Sequence, residues 1–398
     1  MRRLVFPWVC LGILLTAALL SVRDEEPRAA GPISAGNAVP LRVDSELPAW
    51  LAPGAVLRVR GFAGRDAPVT LLVDGRLAGR ASSGRLGAFN VVGRAPEPGR
   101  HAVAVESGGR RVRVGTLRVR PVVLAAAGDV TFGAGTTERG TVFPWTGVGS
   151  TLRDADIATA NLEGAISSRG VAVAGKQYTF RGPPEAARAA GRAGGIDVLT
   201  LANNHTVDFG REALLDTIAH VRAAGIASVG AGRSPEEARR PAVLERGGLR
   251  IAFLGYSQVP PETFFAAESR PGTAPAGEAQ IAADVRAARR RAELVVVWFH
   301  WGLELQPEPT STQRRLAGVA LNAGASVVLG AHPHVLGAVT EPAPRRLVAW
   351  TLGNFVFPAV RAETVRTAIL TVRLDARGVR GWDLHAARIE GFRPVAQP

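Results

Sequence analysis

The hydrophobic pattern of this chain changes period near Pro121. Between Leu41 and Pro121, short runs such as AVLRVRGF, PVTLLVDG, GAFNVVGR, HAVAVESGG and RVRVGTLRVR alternate apolar and polar positions. In the last of these, Val112 and Val114, then Leu117 and Val119, are apolar, with Arg on intervening positions. A period of two is the mark of strands with one buried and one wet face. Turn dipeptides, Asp74-Gly75 and Gly108-Gly109 among them, separate the runs. The segment 41–121 therefore reads as a small antiparallel β-sandwich of immunoglobulin-like type. Its job would be spacing or partner contact, since its lone His101 reads as solvated or packed.

From 122 to 398, uninterrupted Val/Leu/Ile runs alternate with helical stretches, as parallel or mixed sheets covered on both faces require. Helices are expected at Pro184 to Arg192, Gly210 to Ala224, Ala276 to Ala292 and Thr310 to Ala323. Near the C-terminus, RLVAWTLGNFVF, TVRTAILTVRLD and VRGWDLHAARIE read as antiparallel strands added to the sheet. The fold class is α/β, and a four-layer sandwich accommodates all of it.

Ahead of these segments, Arg2-Arg3 is followed by an uncharged apolar run from Leu4 to Val22. That is about the ~20 residues needed to cross the hydrocarbon core, and it exceeds the ~7–15 residues of a cleavable signal core. Residues 1–22 are thus expected to be a transmembrane signal anchor in the cell membrane. Residues 23–40, rich in charge, Pro, Gly and Ser, would be a tether to an extracytoplasmic region. Cleavage near Ala29-Ala30 or Ala35, giving a secreted protein, is the competing reading. The single cysteine, Cys10, lies inside the apolar run, which leaves no internal disulfide and no Cys-based zinc site.

The formal charge is +14, carried by Arg, with Lys176 as the only lysine. The arginines are scattered in an Ala-, Gly- and Pro-rich sequence, a pattern that reads as coding bias rather than a patch. No Lys/Arg cluster alternates with aromatics as base-stacking surfaces require, so nucleic acid is not an expected partner. A diffuse attraction for acidic polymers remains open.

Candidate chemistry stands where the apolar runs end. VVLAAAGDV delivers Asp129, IATANLEG delivers Asn161 and Glu163, VLTLANNH delivers Asn203, Asn204 and His205, LVVVWFH delivers His300, and SVVLGAHPH delivers His332 and His334. Open α/β sheets place their sites beyond the carboxyl ends of strands. Imidazole mixed with carboxylate and amide oxygen suits a divalent ion such as Zn, Mn or Fe. His332 and His334, two residues apart, would point the same way in extended backbone, and Pro333 would hold His332 extended. Trp298, Trp301 and Trp350 read as core closure, Asn354 as a residue fixing a turn beneath the site, Arg181 as solvated, and Val259 to Pro275 as a loop with the character of a lid.

GDV at Gly128 to Val130, NLEG at Asn161 to Gly164, ANNHTVDFG at Ala202 to Gly210, HWGLE at His300 to Glu304, GAHPHV at Gly330 to Val335 and LGNFVF at Leu352 to Phe357 together resemble the CapA family of capsule and poly-γ-glutamate biosynthesis proteins. That family's domain is similar to calcineurin-like metallophosphoesterases. The resemblance covers about Val122 to Ile389. It implies that Asp129, Glu163, Asn204, His300, His332 and His334 surround one or two divalent metal ions. It further implies that His205 is the general acid, oriented by Asp208, in a metal-dependent hydrolysis of a phosphoester, acyl or amide centre. Partners implied are the membrane, other membrane synthesis proteins and an acidic polymer such as poly-γ-glutamate, which a non-hydrolytic scaffold could equally bind. One departure stands out: metallophosphoesterases usually carry histidine two residues after the first aspartate, and Thr131 occupies that position here.

Overall fold

The computed structural model describes residues 40–398 except 134, 149–150, 260 and 398. The expected transmembrane segment and most of the tether lie outside the described residues. Among the described residues, no helix is long and apolar enough to cross a membrane.

The alternating runs before Pro121 form two antiparallel sheets. One pairs Arg42–Val43, Val56–Phe62 and Ala88–Arg94; the other runs in the order Arg76–Ser82, Pro68–Val73, Gly99–Ser107, Arg110–Val119. Both predicted turn dipeptides join adjacent strands of this second sheet, with positive φ at Asp74, Gly75, Gly108 and Gly109. Two residues of positive φ match the right-handed twist of the flanking strands. His101 is packed as expected: its Nδ1 lies 2.7 Å from Asp74 Oδ2 and its Nε2 is 2.9 Å from the Glu97 carbonyl.

Two larger sheets follow, which we call sheet I and sheet II. Sheet I has eight strands and is built around Val122–Val130, with Ile157–Leu162, Val198–Thr200 and Ala227–Val229 parallel to one another on one side. On its other side lie the antiparallel strands Arg366–Asp375, Gly378–Glu390 and Arg393–Ala396. Sheet II has six strands; its centre is the parallel set Leu249–Ser257, Leu294–His300, Val327–Ala331 and Arg346–Ala349.

Side-chain alternation shows how the layers stack. On Val122–Val130, Leu124 and Ala126 join the core shared by the two sheets, while Ala125 and Ala127 join a second core against α1 (Glu185–Arg192) and α2 (Gly210–Ala223). On Leu294–His300, Val296 and Trp298 face the shared core, and Val295, Val297 and Phe299 face outward. That outer core is closed by two later helices, which come after the short α3 (Pro235–Ala238): α4 (Glu278–Arg289) and α5 (Ser311–Ala323). The layers therefore run helix, sheet, sheet, helix. Each predicted helix is present within a few residues of its expected ends. α5 starts on a Thr310/Gln313 capping box and stops at Gly324 with φ +116°, the left-handed conformation common after a helix end.

The C-terminal expectation needs one correction. RLVAWTLGNFVF does not form one antiparallel strand but splits between the sheets. Arg346–Ala349 pairs parallel with Val327–Ala331 of sheet II, and Asn354–Val356 pairs parallel with Val122–Val130 of sheet I. Between them the chain passes very close to both strand ends. A Cβ on Gly128 would lie 1.9 Å from the Gly353 carbonyl oxygen, and one on Gly330 would lie 2.0 Å from that of Trp350. Only glycine admits backbone at that distance.

Trp298 and Trp301 are fully buried and Trp350 is nearly so; Trp298 bonds Thr159 Oγ1, and Trp301 bonds the Trp350 carbonyl. They close the core as expected. In the loop after Val259, Phe264 is buried in the core against α2's layer, which fixes this stretch by packing.

Candidate metal centre

The carboxyl ends of sheets I and II meet, and the motif residues meet there with them. Sheet I contributes Asp129, Glu163, Asn204 and His205; sheet II contributes His300, His332 and His334. All except Asn204 and His334 are buried. Asp129, Glu163 and His334 each offer a ligand atom, and these atoms lie within 4.8 Å of one another. The pairwise contacts agree: His334 Nδ1 is 3.5 Å from Asp129 Oδ2, and His334 Nε2 is 3.7 Å from Glu163 Oε1.

Each member is held from behind. Asp129 Oδ1 accepts from Asn161 Nδ2 at 2.8 Å, and Oδ2 accepts from the His332 backbone N–H at 3.2 Å. His334 donates Nδ1–H to Asn354 Oδ1 at 2.8 Å, which leaves the Nε2 lone pair facing Glu163. Asn354 thus orients a candidate ligand rather than merely fixing a turn, the usual support for a metal-binding imidazole. Thr131 Oγ1 accepts from the Gly133 N–H at 3.2 Å.

The expectation for the histidine pair is corrected. Neither residue is extended: φ is +98° at His332 and +59° at His334. Such values are rare outside glycine and persist only where tertiary contacts over-determine them. Here Asp129 captures the His332 N–H, and the Leu305 N–H donates to the Pro333 carbonyl at 2.9 Å. These contacts override the local preference of a residue before proline. The rings still converge: His300 and His332 centroids are 4.8 Å apart, and those of His332 and His334 are 5.9 Å apart.

His300 and Asn204 bond one another, with His300 Nε2–H donating to Asn204 Oδ1 at 2.8 Å. The other ring nitrogen of His300 is 3.3 Å from Asn161 Nδ2. Both nitrogens are therefore engaged, whereas the buried Nδ1 of His332 and both carboxylate oxygens of Glu163 have no hydrogen-bond partner. Burial lifts the Glu163 carboxyl well above the usual range, with Asp129 adding to it, and lifts that of Asp129 as well. Burial pushes the His300 imidazole well down and that of His332 down to about 3. Two buried carboxylates beside neutral imidazoles, with orphaned lone pairs between them, form a donor set that lacks a positive charge. A divalent cation fits it by chemistry, because it would hold the carboxylates ionised and use the orphaned lone pairs.

Beside this cluster is a second unit. His205 donates Nδ1–H to Asp208 Oδ2 at 2.7 Å, so its Nε2 is directed elsewhere, 3.6 Å from Glu163 Oε1. Asp208 is fully buried; its Oδ2 also accepts the Phe180 N–H at 2.8 Å, and its Oδ1 accepts from Lys176 Nζ at 2.5 Å. Lys176 donates as well to the Asn204 carbonyl. The Phe180 ring packs on His205, centroids 4.5 Å apart. Burial lowers the His205 imidazole against the pull of Asp208, and lowers the Lys176 ammonium likewise. Lys176 and Phe180 were not singled out as site residues from the sequence, although one lysine in an arginine-rich chain was a visible signal. Arg181 is tied to the Arg169 and Gly170 carbonyls and stacks over Phe209.

Comparison with known proteins places this geometry in context. Over 199 residues the chain is 32% identical to the PGA biosynthesis protein CapA of Bacillus subtilis (strain 168), covering 50% of this chain and 52% of that protein. The chain thus spans about half the length of that relative. It is 28% identical over 284 residues to the capsule biosynthesis protein CapA of Bacillus anthracis, covering 69% of each. Among solved structures, a calcineurin-like phosphoesterase YfkN from Bacillus subtilis aligns over 69% of this chain and 93% of its own, with 12% identity and a TM-score of 0.41. The family described as bacterial capsule synthesis protein PGA_cap matches residues 123–359, more than half of the chain, and the chain belongs to that family.

Proposed function

We propose that this capsule-synthesis protein is anchored to the membrane by residues 1–22 and carries an extracytoplasmic, divalent-metal-dependent hydrolase centre of phosphoesterase type. The observation that carries the reading is Glu163: a fully buried carboxylate with two unpartnered oxygens beside Asp129 and His334. A carboxyl in such a place takes up a proton or is held ionised by a cation, and Asp129 and His334 supply the rest of a cation's ligand set.

Asp129, Glu163 and His334 would hold the ion. His332, His300 and Asn204 flank it. When bound, the ion supplies Lewis-acid polarisation of the scissile centre and a nucleophilic water at neutral pH. The remaining work falls to the protein's own groups. His205, with Nδ1–H fixed on Asp208 and its imidazole kept from protonation by burial, would accept at Nε2 the proton given up by the attacking water and return it to the leaving atom. Lys176 and the Phe180 N–H lock Asp208, and the Phe180 ring keeps water from one side of the imidazole.

Hydrolysis of a chromogenic phosphodiester by the full chain with Mn²⁺ tests this directly. Activity should fall by roughly 10²-fold or more in His205→Ala, on the scale of acid–base contributions, and vanish in Asp129→Ala. Unchanged activity in both variants would remove the proposal.

A second reading, a non-hydrolytic scaffold that binds an acidic polymer within a membrane synthesis complex, is favoured by the engagement of both His300 nitrogens with amides. His205→Ala separates the two readings. Loss of function with metal content intact supports catalysis, whereas retained function supports the scaffold.

A further inference from the structure

The arginines that look scattered along the sequence are gathered by the fold. Between Leu41 and Pro121 stand fourteen Arg against six Asp or Glu, a surplus of eight out of the whole chain's +14. Strict alternation would put Arg111 and Arg113 on one face of their strand and Arg118 on the other. A β-bulge prevents this. Val103 lies opposite Gly115 and Ala104 opposite Arg113, so Val114 is an extra residue and the parity reverses.

Leu117 and Val119 therefore turn inward and are buried, and Arg118 turns outward beside Arg111 and Arg113. Arg100 is directly opposite Arg118, and Arg80 joins the same outward face through the Thr70 register. All five arginines are exposed. Two acidic side chains border these arginines: Glu106, paired with Arg111 at 3.2 Å, and Asp74 at the strand end, held by His101 and the Ala102 N–H. Arg113 reaches Thr116 Oγ1 at 3.3 Å. Between the arginines lie Thr70, Ala102, Ala104 and Thr116, with Leu72 and Leu77 continuing the row of Ala104.

Like charges directly opposite across a sheet destabilise it. The Arg100/Arg118 pair thus works against the fold, and its gain has to lie outside the chain. Guanidinium forks pair bidentately with carboxylates. Arg111 to Arg118 spans seven residues of strand, roughly 20 Å, long enough to meet several carboxylates of one extended chain. No aromatic side chain occupies an outward position of Gly99–Ser107 or Arg110–Val119, and the large aliphatic side chains of the face, Leu72 and the exposed Leu77, lie on the two strands beyond them. That speaks against base stacking, which uses aromatic groups.

We propose that this outward face is a docking track for a flexible polycarboxylate chain, built by strands other than those that form the metal centre. It rests on the family's part in capsule synthesis and not on the metal site.

The test is binding of fluorescent poly-L-glutamate to the full chain at low and physiological salt. The variant R100Q/R113Q/R118Q should bind about tenfold more weakly, the combined effect expected of three exposed ion pairs, with a shallower salt dependence. The variant R58Q/R60Q/R85Q, with the same charge loss placed elsewhere, should bind nearly as the parent does, and so should E163Q. Equal weakening in both triple variants would mean that net charge alone acts, and would overturn the proposal. No binding by the parent chain would overturn it together with the polymer-partner reading. Retained polyglutamate binding with lost binding to phosphatidylglycerol vesicles would assign the face to anionic lipid and overturn it too. Single R100Q and R118Q variants guard against misfolding: each removes the opposed pair and should melt no lower than the parent while still binding polyglutamate more weakly.

Discussion

Glu163 is where the account is most exposed at the scale of single residues. Buried without a partner, Glu163 has to be neutralised by a proton or by a cation, and Asp129 and His334 beside it favour the cation. Glu163→Gln should therefore melt no lower than the parent in chelator. Addition of Mn²⁺ at about a hundred times its dissociation constant should stabilise the parent by about 2.7 kcal/mol and leave the variant unmoved; thermal melts with and without the ion check both. Lys176 tests the neighbouring unit. Lys176→Met leaves the buried Asp208 carboxylate short of a charged donor, at a cost on the order of 1–3 kcal/mol, and should lower turnover more than substrate affinity, since Lys176 acts through Asp208 and His205. A chemical denaturation curve and a kcat against KM comparison measure these. The ligand types were legible in the sequence because each closes an apolar run. The conformation of the HPH segment was not, because local proline rules are outvoted by the Asp129 carboxylate and the Pro333 carbonyl bond. Nor was the partner of Asn354, since no sequence spacing links it to His334 across a change of sheet.

At the scale of elements, helix positions were readable because capping and apolar spacing are local, as at Thr310 and Gly324 in α5. Strand partners in the C-terminal third were not. A strand buried on both faces shows no direction, so the parallel pairing of Arg346–Ala349 and of Asn354–Val356 had no local signal. The bulge at Val114 is an intermediate case, visible as a break in alternation but not as a gathering of arginines. One element carries a clear pH signature. α2 is tied to the distant loop that carries Ser167 and Arg169 by Asp216, which accepts from Arg169 and from Ser167 Oγ at 2.6 Å. The Arg169 bond and the Ser167 hydroxyl hold this carboxyl down at about 2. A folded value below the unfolded ~3.9 means that the contribution is complete above about pH 4 and fades as pH falls through 2. Asp216→Asn should accordingly melt below the parent at pH 7 and converge with it toward pH 2, as melting curves across that range would show.

At the scale of the whole molecule, the strand-rich segment and the layers after it share one hydrophobic core. Leu57, Val91 and Leu117 belong to the same cluster as Leu124, Phe253 and Val296. Arg120 reinforces the junction, stacked 3.7 Å over Trp50 and paired with both Asp156 oxygens at 2.6 and 2.7 Å. The sequence marked a change of period at Pro121, yet a change of period reports local burial and cannot show that two segments bury the same surface. Shared burial predicts one cooperative unfolding transition in calorimetry; two separate transitions would mean that the segments are independent.

The measurement that bears most directly on the central claim is elemental analysis of the purified full chain after equilibration with divalent ions and removal of the excess. At least one tightly held equivalent is expected in the parent and in His205→Ala, and loss of it in Glu163→Gln. A parent chain that retains no divalent ion, or a Glu163→Gln variant that holds as much as the parent, would contradict the account.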